Sequence, residues 1–242
     1  MSGTPVLPVI AVDGPAGSGK SSTSRAVAAR LGLRYLDTGA MYRAMAWGML
    51  RRDAEVNDAA AVAALAEQPL VVITTSPEGQ SVKCDGVDVT DDIRSHRVTA
   101  AVSAVSAVPE VRARLVDLQR QVVADALEAG VGIVVEGRDI GTVVLPNATL
   151  KVFLTADEAE RAYRRALEEA VRAGAANPEA EADEALAAVR ERLTLRDSID
   201  SGRAASPLRP ADDAVVVEAT TLTLDQVVDL VITLAEERLT HG

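Results

Sequence analysis

The sequence predicts an α/β fold in which a parallel sheet carries helices on both of its faces. Three short apolar runs have the length and composition of buried strands, at 9–12, 132–136 and 150–154. Longer segments with the composition of helices separate these runs. Apolar strands that alternate with helices are typical of a parallel sheet covered on both faces.

The first half of the chain is predicted to begin with a strand, a helix and a second strand. The apolar run Val9–Val12 is the first strand, and Gly32 marks the end of the helix that follows it. Short β-branched runs around a Ser-Pro-Glu-Gly turn at 76–79 indicate a small antiparallel meander, and Pro109 separates two helices. The elements predicted in this half are strand 9–12, helix 20–31, strand 34–37, helix 41–50, the meander 70–89, and helices 99–108 and 110–129.

The second half is predicted to be helical around its strands. A long charged segment after the strand at 150–154 has helical composition, with breaks at Gly174 and at Asn177-Pro178. A last apolar strand leads into an amphipathic helix near the end of the chain. The elements predicted here are strands 132–136 and 150–154, helices within 157–200, strand 214–218 and helix 224–239.

Length and composition exclude several classes of protein. A chain of 242 residues fits one domain that carries a subdomain. The net charge of −11 argues against a general nucleic-acid binder, because phosphate backbones need a positive contact surface. Cys84 is the single cysteine, so an internal disulfide and a multi-cysteine zinc site are excluded. With no apolar segment of transmembrane length and no signal peptide visible, we expect a cytoplasmic protein without a membrane partner.

The motif that carries most of the chemistry follows the first strand directly. It reads Gly14-Pro15-Ala16-Gly17-Ser18-Gly19-Lys20-Ser21 and matches G-x-x-x-x-G-K-[ST]. Glycines let the backbone wrap around a phosphate, so that successive N–H groups and the helix amino terminus point at it. Lys20 is expected to reach the outer phosphates, and the Ser21 hydroxyl to bind Mg²⁺. The motif therefore predicts a site for a nucleoside triphosphate and Mg²⁺.

Two further motifs predict a second site beside this loop. A hydroxyl, an aromatic ring and a guanidinium group lie at a strand-to-helix junction in Asp37-Thr38-Gly39-Ala40-Met41-Tyr42-Arg43. An apolar strand ends in Glu136-Gly137-Arg138-Asp139, at the position where ligands bind in open α/β sheets. Taken alone, Asp37 could be only a helix cap and Arg138 only part of a surface turn. Together with the phosphate-binding loop, the two motifs favour a site for a phosphate acceptor.

These motifs resemble those of bacterial cytidylate (CMP) kinases, which belong to the P-loop nucleoside monophosphate kinase superfamily. The resemblance is carried by residues 14–21, 37–43, 136–142 and 196–208, and it spans the chain from about Val9 to Leu239. It implies a P-loop kinase fold with a parallel core sheet flanked by helices, a small antiparallel β insertion and a helical lid. The implied division is a kinase core at about 5–68, 109–172 and 205–242, an acceptor-binding insertion at about 69–108 and a lid at about 173–204.

The activity that the resemblance implies is transfer of the γ-phosphoryl group of ATP to CMP or dCMP, with Mg²⁺, in pyrimidine nucleotide metabolism. ATP would lie against the glycine-rich motif and Ser22. Lys20, Arg165 and Arg196 would surround the transferring phosphoryl group, with both arginines on the lid. The implied CMP contacts, from phosphate through sugar to base, are Arg43, Arg138 and Arg203 with Tyr42 and Thr38, then Asp200, and finally Ser103, Arg112 and Asp139.

One position departs from the family pattern, because many relatives have aspartate where this chain has Glu136. The sequence offers no histidine or cysteine as a catalytic candidate, and the implied reaction needs none. The acceptor phosphate oxygen is already anionic at neutral pH, so no base has to activate it. Alignment, together with charge neutralisation by Lys20, Mg²⁺ and the arginines, can supply the catalysis.

Two other functions stay open at this point. A kinase for UMP or for a non-nucleotide alcohol would use the same loop, and an alcohol would need a base, for which Asp37 is the candidate. A nucleotide-binding regulator that hydrolyses ATP poorly is the second alternative, although intact Lys20 and Ser21 argue against it. The sequence lacks N-K-x-D and D-x-x-G, which argues against a switch GTPase. We expect a monomer whose partners are ATP, CMP and dCMP, without nucleic acid.

Overall fold

The computed structural model describes residues 7–202 and 206–241, and this part of the chain contains eight strands and eight helices. The strands are β1 (Val9–Asp13), β2 (Arg34–Asp37), β3 (Val71–Ile73), β4 (Val82–Cys84), β5 (Val87–Asp88), β6 (Ile133–Gly137), β7 (Leu150–Thr155) and β8 (Val215–Glu218). The helices are α1 (Lys20–Leu31), α2 (Thr38–Arg51), α3 (Ala59–Ala64), α4 (His96–Ala107), α5 (Pro109–Glu128), α6 (Glu158–Ala173), α7 (Pro178–Ser201) and α8 (Leu224–His241). Within these described ranges, no helix is long and apolar enough to cross a membrane.

Five strands form the predicted parallel sheet, in the order β2-β6-β1-β7-β8. In its register, Asp13 lies opposite Gly137, and Asp37 lies opposite Glu136. The carboxyl ends of β1, β2 and β6 therefore meet at one edge of the sheet. This edge is where ligands bind in open α/β folds.

Helices cover both faces of the sheet, as predicted, and form a separate core against each. Successive residues of a strand point to opposite faces. In β1, Ala11 joins the core under α2, α4 and α5, whereas Ile10 joins the core under α1 and α8. Met41 and Leu115 are among the large buried side chains of the first core. Because aromatic residues make up only 2% of the chain, aliphatic side chains fill most of both cores, and methionines join them in the first core.

The predicted meander is the antiparallel sheet β3-β4-β5, which packs against α2. Gly48 allows this contact, because a Cβ atom there would lie 2.8 Å from the Cβ of Pro69 and 2.9 Å from the Sγ of Cys84. Cys84 is buried in the contact as a small apolar side chain. Burial raises the pKa of its thiol to about 11, so the thiolate is disfavoured. The division of the chain into core, acceptor-binding insertion and lid stays a prediction.

The charged helical segment of the sequence forms the helix pair α6 and α7, with the two predicted breaks between them. Helix α6 ends at Gly174, whose φ of +75° is a conformation that glycine adopts readily. The side-chain oxygen of Asn177 caps α7 by accepting a hydrogen bond from the N–H of Ala180. Small apolar residues fill the contact between the two helices and extend to Ala16 of the glycine-rich loop; they include Ala162, Ala166, Ala182, Val189 and Leu193.

The main differences from the predicted elements are the earlier starts of α2 and α4, an additional helix α3 and two short helical turns. Helix α2 begins at Thr38 rather than at Met41, because the Asp37 carboxylate caps it by accepting a hydrogen bond from the N–H of Ala40. Helix α3 was not among the predictions, since six alanine-rich residues are too short to show a helical periodicity. A 3₁₀ turn at Asp92–Arg94 and a π-helical turn at Ile140–Val144 are also additional to the predicted elements.

Candidate active site

In the glycine-rich loop between β1 and α1, two residues have a backbone conformation that only glycine adopts readily. Both residues also lie in close contact with neighbouring backbone. Gly14 and Gly17 have φ values of +150° and +78°. A Cβ atom on Gly14 would lie 2.0 Å from the carbonyl oxygen of Leu154, and one on Gly17 would lie 2.5 Å from that of Arg161. The loop is therefore packed tightly between β7 and the first turn of α6. This packing fixes the N–H groups that face the cavity at the amino terminus of α1.

Lys20 lies at the first position of α1 and folds back over the loop. Its Nζ donates a hydrogen bond to the carbonyl oxygen of Pro15 at 2.8 Å. Burial lowers the pKa of Lys20 to about 7, and the nearby guanidinium groups of Arg138 and Arg196 add to this effect, although Glu136 opposes it. Several cations thus meet in one enclosed space. A polyanion bound among them would favour the charged form of Lys20.

Glu136, at the end of β6, joins the loop to the neighbouring strand. Its Oε2 accepts a hydrogen bond from the Ser21 hydroxyl at 2.9 Å, and its Oε1 accepts one from the Tyr35 hydroxyl. Burial is the main cause that raises the pKa of this carboxyl, and the charge of Asp37 adds to it. The longer side chain of glutamate thus lets one carboxylate contact both hydroxyls. It also places two oxygen ligands, of Ser21 and Glu136, beside the phosphate-binding loop.

The motif at 37–43 begins as a helix cap and continues into the cavity. The Asp37 carboxylate forms an ion pair with Arg43 at 2.9 Å as well as capping α2. Burial alone would raise the pKa of Asp37, but Arg43, the Ala40 N–H and Arg94 together hold it below its usual range. The helix-cap interpretation of Asp37 is therefore correct. The Thr38 hydroxyl donates to the carbonyl oxygen of Glu136 at 2.7 Å, which ties α2 to β6.

Arg112 and Asp139 form a buried ion pair that lines the cavity. Arg112 also donates to the carbonyl oxygen of Ser106 at 3.3 Å, and its guanidinium lies 5.6 Å from the centre of the Tyr42 ring. A carboxylate acceptor and a guanidinium donor are thus held side by side. Such a pair suits a planar polar ligand that both donates and accepts hydrogen bonds.

Arg138 connects the glycine-rich loop, the edge of the sheet and helix α7. Its guanidinium donates to the carbonyl oxygen of Gly14 at 2.7 Å, and its Nε lies 3.1 Å from the Asp200 carboxylate. Arg138 is therefore not part of a free surface turn. The Arg196 Nε lies 3.9 Å from the same carboxylate of Asp200. Burial, followed by the charge of Arg138, lowers the pKa of Arg196 to about 9.

Arg165 faces the cavity from α6 and is paired on its own helix. It forms ion pairs with Glu168 at 2.9 Å and with Glu169 at 2.8 Å. These pairs are partly exposed, and pairs of this kind contribute little stability. Arg165 can therefore exchange them for a phosphate group at small cost.

Most of the residues predicted for the site line a single cavity of about 640 Å³ at the carboxyl edge of the sheet. The predicted residues that line it are Ala16, Gly17, Ser18, Gly19, Lys20, Ser21, Ser22, Thr38, Tyr42, Arg43, Arg112, Arg138, Asp139, Arg165, Arg196 and Asp200. Gly14 and Pro15 contribute through their carbonyl oxygens, which accept from Arg138 and Lys20.

Ser103 is a predicted site residue that does not line this cavity in the described structure. Val102 and Ser106 of α4 line the cavity, whereas Ser103 between them does not. The carbonyl oxygen of Ser103 accepts a hydrogen bond from the Ser106 hydroxyl at 3.1 Å. The role of Ser103 stays a prediction. Arg203 lies outside the described residues.

Three arginines that were not predicted for the site also line the cavity, and they are Arg25, Arg94 and Arg164. Burial, followed by the charge of Arg43, lowers the pKa of the Arg94 guanidinium. Arg164 forms an ion pair with Glu160 at 2.7 Å and donates to the carbonyl oxygen of Ala219 at 2.8 Å. With three lysines among 25 basic residues, the chain has 22 arginines. An arginine outside a motif therefore carries little signal in this sequence.

Comparisons with known proteins agree on one family. The model of the cytidylate kinase family matches residues 10–237. The cytidylate kinase of Streptomyces coelicolor is 53% identical over 95% of this chain and 93% of its own length. The cytidylate kinases of Streptomyces griseus and Streptomyces avermitilis are 51% and 50% identical, over 94% and 95% of this chain and 92% and 93% of their own lengths.

Proposed function

The chain belongs to the cytidylate kinase family, and from this premise we propose that the cavity is the active site in which ATP phosphorylates CMP or dCMP. The enzyme is a nucleoside monophosphate kinase, and its products are ADP and CDP or dCDP. The observation that carries the assignment of the site is that the P-loop and the Arg112–Asp139 pair open into the same cavity. One wall is suited to a triphosphate and another to a polar base.

ATP is assigned to the P-loop wall. Its phosphates would accept hydrogen bonds from the N–H groups at the amino terminus of α1, and Lys20 would move from the carbonyl of Pro15 to the outer phosphates. The cluster of Lys20, Arg138 and Arg196 favours a polyanion, because burial and neighbouring guanidinium groups disfavour the charged forms of Lys20 and Arg196.

A magnesium ion fits the oxygen pair of Ser21 and Glu136. These oxygens lie 2.9 Å apart beside the P-loop, and Mg²⁺ prefers oxygen ligands, with few from protein and the rest from water and phosphate. When bound, the ion would neutralise charge on the phosphates. The Tyr35 hydroxyl, bonded to the other oxygen of Glu136, would keep the carboxylate turned toward Ser21.

Replacing Glu136 by glutamine is expected to lower the affinity for Mg²⁺ about 10–100-fold. The substitution removes the negative charge beside Ser21 but keeps the size of the side chain. The direct measurement is the dissociation constant of ADP with and without Mg²⁺, by calorimetry. The variant should retain the affinity for metal-free ADP and lose the gain that Mg²⁺ gives. An unchanged gain from Mg²⁺ would remove Glu136 from the metal site. Glu218→Gln, at the exposed end of β8, is a suitable control.

CMP is assigned to the wall formed by α2, α4, α5 and the end of β6. Arg43 and Arg138 would hold its phosphate, and Asp200 its sugar hydroxyls. The Arg112–Asp139 pair would face the base, because cytosine offers an amino donor beside a ring acceptor. Both arginines assigned to the phosphate are now paired with carboxylates. Binding of CMP would therefore exchange protein ion pairs for phosphate contacts.

The reaction proposed for this site needs alignment and charge neutralisation rather than a base. An oxygen of the CMP phosphate attacks the γ-phosphorus of ATP, and the bond from that phosphorus to the β-phosphate oxygen breaks to release ADP. Lys20, Arg138 and Arg196 converge where charge is spread over the transferring group. Helices α6 and α7 carry Arg165 and Arg196, and α7 lies within the predicted lid, so closure of the lid would also keep water from the γ-phosphate.

The geometry does not favour an alcohol as acceptor. The candidate base for such a reaction was Asp37, whose carboxylate is occupied by Arg43 and by the amino terminus of α2. These contacts hold its pKa below the usual range, which makes it a weak base at neutral pH.

We further propose that the enzyme acts as a cytoplasmic monomer without nucleic acid. The net charge of −11 supports the absence of a nucleic-acid partner. A single, buried cysteine fits a reducing compartment.

The acceptor is tested by incubating the purified protein with Mg-ATP and, in separate reactions, CMP, dCMP, UMP, AMP and GMP. Chromatography then separates ADP from each nucleoside diphosphate. We expect CDP and dCDP to dominate, with one ADP formed for each. ADP without a diphosphate product would indicate idle ATP hydrolysis and would contradict the assignment of the acceptor wall. Efficient UDP formation would contradict the role given to Asp139.

A further inference from the structure

The residue that precedes the P-loop is a buried carboxylate. Asp13 ends β1 and is 4% exposed. Its Oδ1 accepts a hydrogen bond from the N–H of Ile140 and its Oδ2 accepts one from the N–H of Gly141, both at 2.8 Å. These two N–H groups are the first of the π-helical turn at 140–144, and groups at this position have no partner within their own turn. Asp13 thus caps a turn that lies far from it in sequence.

The segment that carries the proposed CMP contacts is no longer part of the sheet at the point where Asp13 binds it. The last backbone pair between β1 and β6 joins Asp13 to Gly137. Beyond Gly137, the segment that carries Arg138 and Asp139 is held by the Asp13 carboxylate and by the Gly14 carbonyl, which accepts from Arg138 at 2.7 Å. Two consecutive residues, the second of which begins the P-loop, therefore bind the acceptor segment through side chain and backbone.

We propose that Asp13 is a positioning residue that fixes the acceptor segment at 138–141 against the P-loop, and so sets the distance between the CMP phosphate and the γ-phosphate of ATP. This proposal rests on the proposed function, because it takes Arg138 and Asp139 as CMP contacts and the P-loop as the ATP site. Asp13 itself touches neither substrate. It acts through the backbone of Ile140 and Gly141.

The chemistry of the contact favours a carboxylate at this position. Two neighbouring N–H donors need two acceptors, and a carboxylate is the side chain that offers two without a donor. Negative charge is also favourable at the beginning of a helical turn. Burial raises the pKa of Asp13 to about 6 despite both hydrogen bonds, so holding this charge is costly. A neutral apolar side chain would avoid that cost but could not bind the segment.

The space around the contact is tight, so a small change shifts the segment. A Cβ atom on Gly141 would lie 3.4 Å from Oδ2 of Asp13 and 3.2 Å from Cδ of Lys151. Phosphoryl transfer depends on the alignment of two bound substrates, and a displacement of about 1 Å costs on the order of 100-fold in rate. A fixed contact between the two loops is therefore of direct use to the reaction.

The test is Asp13→Asn, which keeps the shape but turns one acceptor into an NH₂ donor that faces a backbone N–H. We expect kcat for CDP formation to fall about 10–100-fold, with the dissociation constant for ADP unchanged. The fraction of ATP hydrolysed to ADP without CDP formation should rise, because a displaced acceptor leaves the γ-phosphate to water. A purely structural role would lower the melting temperature without changing this fraction.

Asp58→Asn is the matched control, because the exposed Asp58 carboxylate accepts from the N–H groups of Ala60 and Ala61 at the start of α3, away from the cavity. It should keep the wild-type kcat and coupling. Should Asp13→Asn fail to fold, Gly141→Ala tests the same contact from the other side, with a smaller loss of the same kind. Normal coupling in whichever variant folds, or ADP binding weakened as much as kcat, would overturn the proposal. Failure of the wild-type protein to form CDP would instead reject the proposed function.

Discussion

Lys20→Ala is expected to lower kcat for CDP formation by about 10²–10³-fold while the protein folds normally. Lys20 supplies the single ammonium group of the P-loop motif, and its Nζ lies over the loop at 2.8 Å from the carbonyl oxygen of Pro15. As charge moves toward the leaving ADP oxygen, this cation would stabilise the transition state more than the ground state. Initial rates of CDP formation from Mg-ATP and CMP give the measurement.

The Lys20 variant should fold normally, because the charged form of the enclosed ammonium group is unfavourable in the absence of nucleotide. Burial lowers the pKa of Lys20 to about 7, and two guanidinium groups repel it. Lys83→Ala is the matched control, since Lys83 is exposed on β4. Turnover within the range of that control would reject the role of Lys20. A melting temperature far below that of the wild type would show that the loss reflects unfolding instead.

The architecture of the sheet could be predicted because its signals are local. Strands β1, β6 and β7 are short apolar runs, and a glycine or proline lies close to one end of each. The π-helical turn at Ile140–Val144 could not be predicted from such local signals. Its residues form an apolar run without a helical pattern, and the partner that caps it, Asp13, is 127 positions away in the chain. A contact between residues so far apart in the chain cannot be predicted from the local sequence.

The site was predictable to the extent that its chemistry sits in contiguous motifs. The P-loop and the motifs at 37–43 and 136–139 name residues that the fold brings to one cavity. Tyr35 and Arg94 belong to no motif recognised from the residues, and their positions depend on strand pairing and on a 3₁₀ turn. The bridge from Ser21 through Glu136 to Tyr35 likewise needs the register of β2 and β6. The residue types of the site could thus be predicted from the sequence, whereas the contacts between distant elements could not.

Asp139→Asn is expected to raise the KM for CMP about 10–100-fold and to leave the KM for ATP unchanged. A hydrogen bond to a charged group contributes about 1.5–3 kcal/mol, and this bond would join the carboxylate to the amino group of cytosine. Asparagine is a better test than alanine, because it keeps a side-chain oxygen that can accept from buried Arg112 in place of the lost carboxylate. Removing one partner of a buried ion pair lowers the stability of the protein by about 3–5 kcal/mol. An effect on folding could then not be separated from an effect on CMP binding.

The same variant should also reduce discrimination against UMP. Uracil has a carbonyl oxygen where cytosine has its amino group, so the Asp139 carboxylate would face an acceptor and repel it. An asparagine amide can rotate to donate to that oxygen, so the ratio of kcat/KM for CMP over UMP should fall. Asp117→Asn, on the exposed side of the helix that carries Arg112, is the control. If the KM values for ATP and CMP rise together while the CMP preference stays intact, then Asp139 supports the fold or the chemistry, and another group reads the base.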